Sequence, residues 1–517
     1  MEQSVKKSIA LALALLLALA LCMPVLAADE TTEGVYSSLW ELNGKRIGIQ
    51  VGTDYELIVW DLLPEAECVF YNTYPDLAAA LETNKIDGFP GDEPVLKYMA
   101  VEDDKLFVLP EDMNPVEMAY VLPKSPEGDK LREELDAWIR SARASGELDE
   151  IAYKWIEGPE SEKTVPDYAN FPAPNGTLRM LTEGAYTPMN YFRGTELVGF
   201  EIDMTARFCE ACGYGLIVDA MNFDGIVPAV QAGKADFAAA SFVISEERKE
   251  SVNFSEPYLV CGTLMTVLRA DAAASEGASL WKSIGDSFER TFVRENRWQL
   301  FVQGILNTLL ITVLSMIFGT ALGFVVFMLC RNGNRFANAV TGAVTWLIKG
   351  MPMVVLLMIL YYIVFGSVAI TGLMVSVIGF TLTFGAAVFG LLQMGVGAVD
   401  KGQYEAAYAL GHSNRHTFFR IILPQALPHI LPSYKSEVVS LIQATAIVGY
   451  IAVQDLTKMG DIVRSRTYEA FFPLIAITII YFVLEALIGL LIRRINVNIN
   501  PKRRKRESIL KGVKTDD

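Results

Sequence analysis

Residues 405–424 read EAAYALGHSNRHTFFRIILP and form a polar segment between strongly apolar ones. After Glu405, the residues Ala406 and Ala407 are strong helix formers with little bulk. Gly411 can adopt the backbone conformation of the turn that ends a helix. Pro424 is expected to stop a following helix, because proline lacks a backbone N–H and clashes with the preceding turn. The spacing therefore predicts two short helices joined at Gly411.

The charges of the 517-residue chain divide near residue 296. Residues 1–296 carry 24 Lys and Arg against 50 Asp and Glu, a net charge of −26, whereas residues 297–517 carry 20 against 10, a net charge of +10. An acidic part thus precedes a basic, apolar part, and the chain is predicted to contain more than one domain. The acidic surface argues against nucleic acid as a partner.

The first 27 residues are typical of a secretory signal. Two lysines precede the apolar run 9–21, and small residues follow it up to Ala27. The run is too short to span a bilayer comfortably, so cleavage after Ala27 is expected. Retention of this segment as an anchor is the alternative. The residues that follow are expected to be exported.

Five segments in the C-terminal part have enough apolar length to cross a membrane. They are residues 300–330, 337–365, 370–394, 434–453 and 471–492. With the acidic part outside, the positive-inside rule places the segment 405–424 and the C-terminus in the cytosol. Only Lys458, Arg464 and Arg466 then fall in an outer loop. The prediction is a multi-pass protein of the cell membrane in contact with lipid.

The basic part resembles the permeases of binding-protein-dependent amino-acid ABC importers over nearly its whole length. The similarity lies in ENRWQLFVQGILNTLLIT (295–312), KGMPMVV (349–355), VDKGQYEAA (399–407) and ILPQALPHILP (422–432). It departs at Gly390 and Gln393, where Glu and Arg are usual, and at Lys349, where Arg is usual.

The resemblance implies that Glu405, Ala406, Ala407, Gly411 and Pro424 belong to the cytoplasmic loop that couples the permease to its ATPase. No phosphate-loop motif G-x-x-x-x-G-K-[ST] occurs in the sequence. The ATP is therefore expected to be used by a separate ATPase subunit, and this chain is expected to bind no cofactor or metal and to be no enzyme. Five spans form half of a pathway, so a homodimer is predicted.

The acidic part reads as two α/β blocks joined by a polar, proline-rich linker at residues 158–176. Both blocks resemble type II, family 3 extracellular binding proteins for polar amino acids, which close two lobes around a ligand. In that family a segment like TEGAYTPMNY (182–191) comes first and one like GKRIGIQVGT (44–53) follows; here the order is reversed. A circular permutation is the simplest account, and two truncated copies are the alternative.

The family resemblance also implies a set of ligand contacts. Arg248 matches the arginine that clamps the ligand α-carboxylate, and Asp92 matches the carboxylate that takes the α-ammonium. The other matching positions are Thr53 in a carboxylate-binding turn, the aromatic residues Tyr186 and Phe223, the hydroxyl of Ser241, and the acidic Glu183 near the ligand side chain. Val243 replaces a usual Ser or Thr, and Asp54 replaces a usual Thr. The acids Asp54 and Glu183 weakly favour a polar or cationic ligand.

The sequence thus predicts a bilobed α/β binding module followed by an all-α, five-span type I importer domain. Its divisions are a signal peptide (1–27), lobe two with the return to lobe one (28–157), the linker (158–176), lobe one (177–270), a tether with an amphipathic helix (271–299), the membrane domain (300–495) and a basic tail (496–517). The predicted function is capture of an amino acid and its ATP-driven import. A ligand-gated channel or a ligand sensor built on the same module is the alternative.

Overall fold

A computed structural model describes residues 36–103, 105–269, 284–285, 287–331, 333, 335–366, 368, 370–467 and 472–499. The predicted signal peptide, most of the tether and the tail beyond residue 499 lie outside this range. All statements about the structure below concern the described residues.

The first block of the acidic part alternates strands and helices. Its elements are β1 (Arg46–Gln50), α1 (Tyr55–Leu62), β2 (Glu67–Tyr71), α2 (Tyr74–Glu82), β3 (Phe89–Asp92), α3 (Glu93–Glu102), β4 (Leu106–Val108), β5 (Val116–Met118), β6 (Val121–Leu122), α4 (Pro126–Ser145) and α5 (Glu147–Ile156). Local sequence sets several of these bounds. Ser125 accepts a hydrogen bond from the amide of Gly128 and so caps α4, and Gly146, at φ +83°, ends it.

The second block continues the same alternation. Its elements are β7 (Thr177–Thr182), β8 (Ala185–Tyr186), β9 (Asn190–Arg193), β10 (Glu196–Val198), α6 (Phe200–Cys212), β11 (Gly215–Ala220), α7 (Phe223–Gln231), β12 (Phe237–Ala238), α8 (Glu246–Ser251), β13 (Asn253–Phe254), β14 (Leu259–Cys261) and β15 (Thr263–Leu268). Cys209 and Cys212, both in α6, are free thiols, and Cys209 is buried.

The two blocks build two lobes jointly. Lobe A holds the five-stranded sheet β11-β7-β12-β6-β13, in which β6 comes from the first block. Lobe B holds the parallel pair β1-β2 and the sheet β3-β15-β4, in which β15 comes from the second block. The chain crosses between lobes at β5 and β14, which pair antiparallel. The predicted assignment of 177–270 to lobe one alone is therefore wrong for β15, whose apolar residues pack in the core of lobe B.

The linker at 158–176 lies along lobe A. The amine of Lys154 donates to the carbonyl of Thr164 (2.8 Å), and the guanidinium of Arg193 donates to the carbonyl of Lys163 (2.6 Å). Val165, Tyr168 and Phe171 pack against the module core. The linker thus closes the surface of lobe A between α5 and β7.

The C-terminal part is helical. Its elements are α9 (Trp298–Cys330), α10 (Arg335–Gly350), α11 (Met353–Met358), α12 (Gly372–Gly397), α13 (Lys401–Ala409), α14 (Asn414–His416), α15 (Leu423–Ala444), α16 (Leu456–Thr467) and α17 (Phe472–Ile499). Among the described residues, three helices are long and apolar enough to cross a membrane, namely α9, α12 and the first 21 residues of α17. The number rises to five if each of two bent helix pairs is one span.

The segment 337–365, predicted as long enough to cross a membrane, is bent, because α10 and the helical run Met353–Val364 meet at 109° on either side of Met351 and Pro352. One sequence prediction about these helices is wrong, since Pro424 does not stop a helix. It lies in the first turn of α15, where its missing N–H would have no partner in any case, and a π-helical turn (Thr417–Ile422) precedes it. Gly411, at φ +80°, does follow the end of α13 as predicted.

Helices α9 and α12 cross at glycines. A Cβ atom on Gly323 of α9 would lie 2.6 Å from the carbonyl oxygen of Gly385 in α12, and one on Gly319 would lie 3.1 Å from the amide nitrogen of Gly385. Gly319 and Gly323 are one small-xxx-small pair, which permits close packing of helix backbones within a bilayer.

Helix α16 joins the membrane part to both lobes. The guanidinium of Arg464 donates to Asp76 of lobe B (2.6 Å), and the amine of Lys458 donates to Asn222 of lobe A (2.9 Å). Arg466 pairs with Glu295 (2.9 Å). Around these contacts, Phe192 and Leu197 of lobe A share one apolar cluster with residues of α9, α16 and α17. The predicted outer loop with three cations is this docked helix.

The glycine crossing predicts a size-dependent loss of stability. Gly323→Ala is expected to lower the free energy of unfolding by about 1–3 kcal/mol, because the methyl group meets backbone of α12. Gly342→Ala in α10 is the matched control, since a Cβ there meets nothing within 4 Å. It should be neutral or stabilising by up to about 1 kcal/mol. Thermal unfolding of both variants in detergent micelles tests this, and equal melting temperatures would contradict it.

The pair of Arg464 and Asp76 predicts coupling between the two parts of the chain. Only 6% of the Arg464 side chain is exposed, so each single alanine variant should lose about 1–3 kcal/mol of stability, and the double variant less than the sum. Chemical unfolding of the full chain measures the cycle. Arg140 and Glu256, an exposed pair within lobe A, give the control cycle, with coupling below about 1 kcal/mol. Strictly additive losses of stability at Arg464 and Asp76 would show that these two side chains do not couple the two parts of the chain.

Candidate ligand site between the lobes

The predicted ligand residues lie where strands of the two lobes end. In lobe A, Glu183 follows β7, Asn222 follows β11 and Ser241 follows β12, and these three strands are parallel. In lobe B, Gln50 ends β1 and Asp92 ends β3. Parallel strands end at a common sheet edge, and open α/β sheets bind ligands at that edge. The two edges face each other across the cleft.

Asp92 is held by hydroxyl groups from both lobes. The hydroxyl of Tyr55 donates to Oδ1 (2.7 Å) and that of Tyr186, from lobe A, donates to Oδ2 (2.7 Å). Burial raises the pKa of Asp92 to about 6, against the lowering effect of these two hydrogen bonds. Asp92 is therefore mainly ionised at pH 7, as a partner for an ammonium group has to be.

Arg248 reaches from lobe A to the turn after β1. Its guanidinium donates to the carbonyl of Gly52 (2.7 Å) and to that of Val243 (3.0 Å), and it lies 3.3 Å from a carboxylate oxygen of Asp54. The structure thus pairs the predicted carboxylate clamp with an acid of lobe B. Asp54, which the sequence marked as a departure from the family and as an acid that weakly favours a polar or cationic ligand, is the anion that faces Arg248.

Glu183 is a buried acid at the cleft. It accepts a hydrogen bond at Oε1 from the amide of Gln50 in lobe B (3.1 Å). Burial raises the pKa of Glu183 to about 7, although the positive charge of Lys458 and the bond from Gln50 lower it. Glu183 thus lies between the lobes and also within the field of a cation of the membrane part.

The remaining predicted residues have partners within the module. The amide of Ser241 donates to the buried Glu201 (2.6 Å) and its hydroxyl lies 3.2 Å from the same oxygen. The hydroxyl of Thr53 donates to the carbonyl of Gln50 (2.7 Å). Phe223 stacks on Phe242 with ring centroids 4.9 Å apart. Ser241 and Thr53 therefore shape the two strand ends, while Phe223 presents a ring to the cleft.

A cavity of about 190 Å³ lies where the cleft meets the membrane part. Lobe A contributes Glu183, Phe223 and Asp224 to its wall, and lobe B contributes Asp76. The membrane part contributes Lys458 and Asp461 of α16, together with Tyr450 from the 3₁₀ segment after α15. Asp92 and Arg248 are not among its lining residues. The cleft therefore opens toward the membrane part at the end that carries Glu183.

Sequence reasoning missed several residues at this site. Tyr55, Gln50 and Glu201 hold predicted residues in place, but a single tyrosine, glutamine or buried glutamate gives no pattern from which to find it. Lys458 gave a signal, because a cation in an outer loop departs from the positive-inside rule. Its contact with Asn222 accounts for that departure.

The predicted coupling residues lie away from this cleft. Glu405 and Ala406 are exposed on α13, and Ala407 is buried beneath them. The segment contacts the C-terminal end of α9, where the guanidinium of Arg331 lies 3.9 Å from the ring centre of Phe418. The predicted ligand residues and the predicted coupling residues thus lie in two separate regions of the structure.

Comparison with known proteins identifies both parts. The family of bacterial extracellular solute-binding proteins, family 3, matches residues 178–410, a range that begins in β7 and extends into the membrane helices. The putative glutamine transport system permease protein GlnP of Rickettsia bellii is 37% identical over 197 residues, which are 37% of this chain and 89% of that protein. The L-cystine transport system permease protein TcyB of Bacillus subtilis is 28% identical over 210 residues, which are 40% of this chain and 90% of that protein.

A crystal structure of an amino acid ABC transporter with histidines is similar over 43% of this chain and 99% of that chain, at 27% identity and a TM-score of 0.37. The similarity to GlnP covers nine-tenths of that permease, and a family 3 match covers residues 178–410 of the same chain. The chain therefore belongs to the polar amino-acid ABC transporter permeases and carries a solute-binding domain in the same polypeptide.

Proposed function

We propose that this chain is the fused receptor and permease subunit of an ATP-dependent importer of polar amino acids. The bilobed module captures the ligand outside, two copies of the membrane part form the pore, and a separate ATPase that uses ATP binds the segment 405–424. The observation that carries the proposal is the cavity shared by both lobes and the membrane part. It connects a ligand cleft directly to a permease.

The length of α9 supports the proposed orientation. Near its N-terminal end, Leu300 and Phe301 pack with Phe192 of lobe A, and at its C-terminal end Arg331 contacts Phe418 of the coupling segment. A helix of 33 residues spans roughly 50 Å, which exceeds the ~30 Å of a hydrocarbon core. The module and the coupling segment then lie on opposite sides of the bilayer, with the module outside and the C-terminus inside.

The exchange of strands between the two blocks supports a circular permutation. β6, from the first block, pairs with β12 and β13 of the second, and β15, from the second, pairs with β3 and β4 of the first. Neither block has a complete lobe of its own. One binding protein with its usual termini joined through the linker accounts for this arrangement, whereas two truncated copies would each need their own sheets.

Exposed apolar side chains support the two proposed protein partners. In the coupling segment, Leu410 is 77% exposed and Tyr408 is 46% exposed, as suits a surface that an ATPase covers. In α10, no residue is buried, and Trp346 and Phe336 are each 78% exposed. A second copy of the permease would cover part of α10.

The proposal predicts amino-acid binding through Arg248. The full chain in nanodiscs, titrated with each of the twenty amino acids by calorimetry, should bind at least one polar amino acid. Arg248→Lys should weaken that binding by about 10–100-fold, because lysine cannot make the bidentate contact with a carboxylate. Arg140→Lys, at an exposed site of lobe A, is the control. Absence of binding with all twenty would overturn the proposal.

A substitution in the coupling segment should abolish uptake without changing ligand binding. Leu410→Glu should leave ligand binding unchanged but abolish uptake and retention of an ATPase subunit, because a charge replaces an exposed apolar contact. Val101→Glu, at a residue that is 83% exposed on lobe B, is the matched control. The measurement is uptake of labelled amino acid by cells that co-express an amino-acid importer ATPase, with co-purification on the tagged permease. If both variants behave alike, the segment does not bind the ATPase.

A further inference from the structure

The acids at the shared cavity are not equally neutralised. Asp76 and Asp461 both contact the guanidinium of Arg464, at 2.6 Å and 3.1 Å. Glu183, which is only 6% exposed, accepts a hydrogen bond from the neutral amide of Gln50, whereas Asp224 is an exposed residue on the cavity wall. Among the described residues, neither Glu183 nor Asp224 forms a direct ion pair. Two carboxylates therefore face the cavity with no cation in contact.

The cation whose charge acts on both acids comes from the membrane part. Lys458 lines the cavity, and its positive charge lowers the pKa of both Glu183 and Asp224. Its amine is bonded to the amide oxygen of Asn222 at 2.9 Å, beside the two acids rather than on them. Lys458 is 7% exposed and packs against Gly449 of the permease. It is present at the cleft only because α16 is docked there.

The shape of the cavity suits one side chain with an apolar stem and a charged end. A volume of about 190 Å³ is below the roughly 300–1,000 Å³ of pockets for drug-sized ligands. Phe223 offers an aromatic face on one wall, and Tyr450 lies on the wall of the membrane part. Lysine and arginine bury their methylene stems on such surfaces and keep the charged end at polar groups.

We infer that this cavity receives the side chain of a cationic amino acid, and that Lys458 competes with the ligand's cationic group for Glu183 and Asp224. This inference rests on the proposed import function and names its substrate class. A ligand cation at these two acids and the ammonium of Lys458 repel each other. Docking on α16 therefore weakens retention of the ligand at the end of the cleft that faces the permease.

Binding of a cationic ligand at Glu183 should depend on pH. The charged and titratable groups around Glu183 are Asp224 and Glu201 of lobe A, Tyr74 of lobe B and Lys458 of the membrane part. Because the pKa of Glu183 is about 7, its carboxylate is mostly protonated at pH 6 and mostly ionised at pH 8. A cationic ligand favours the ionised form, so its affinity should fall by about tenfold from pH 8 to pH 6. Glu183→Gln should abolish this dependence.

The experiment is calorimetric titration of the full chain in nanodiscs with L-lysine, L-arginine and L-glutamine. We expect lysine or arginine to bind more tightly than glutamine. Lys458→Gln should raise the affinity for the cationic ligands by about tenfold, and Glu183→Gln should lower it by about tenfold, with glutamine changed less than about threefold in both. Lys234→Gln is the control, since Lys234 also contacts the membrane part, at the carbonyl of Val368.

The outcomes separate the two levels of the proposal. Tight binding of glutamine with no binding of lysine or arginine overturns the inference and leaves the import function standing. Equal changes for all three ligands in Lys458→Gln, or the same change in Lys234→Gln, show an effect of docking alone and also overturn it. No binding of any amino acid overturns the proposed function itself.

Discussion

Buried cations on α16 are the constraint on which the arrangement of the whole chain depends. The side chains of Arg464 and Arg466 are 6% and 7% exposed, and an unpaired charge at such depth would cost several kcal/mol. Their anionic partners come from the module side of the chain, Asp76 for Arg464 and Glu295 for Arg466. Part of the acidic excess of residues 1–296 thus neutralises cations of the permease part. Removing the module would take Asp76 away from Arg464 and leave it, among the described residues, paired only with Asp461 of its own helix.

The charged groups in the cleft also have partners within the protein. Arg248 is paired with Asp54, and Asp92 accepts hydrogen bonds from Tyr55 and Tyr186, so the two charged groups expected to hold a ligand already have partners in the protein. A ligand has to replace these contacts, and only the difference between old and new contacts appears as affinity. A zwitterion with a carboxylate and an ammonium can satisfy both centres at once. A molecule with one such group would leave the other centre dependent on its protein partners.

The sequence predicted those features that local chemistry determines. Gly411 adopts the left-handed turn. The cleft residues were predicted from the resemblance to a binding-protein family, and most of them lie at the facing strand ends. Pro424 was misread, since proline suits the start of a helix as well as its end, and only the helix that follows decides between the two. The placement of β15 was missed because packing between distant segments sets it. Lys458 was noticed as an exception, but its partner lies 236 residues away in sequence.

Docking and lobe closure are linked through α16. Lys458 holds lobe A at Asn222 and Arg464 holds lobe B at Asp76, six residues apart on one helix. The lobes can separate about the β5–β14 hinge only if at least one of these contacts breaks. By linkage, closing the cleft stabilises docking and docking stabilises the closed cleft to the same degree, apart from the repulsion between Lys458 and a bound cation. Because both parts are in one polypeptide, each remains at high effective concentration for the other, so weak contacts of this kind suffice to couple them.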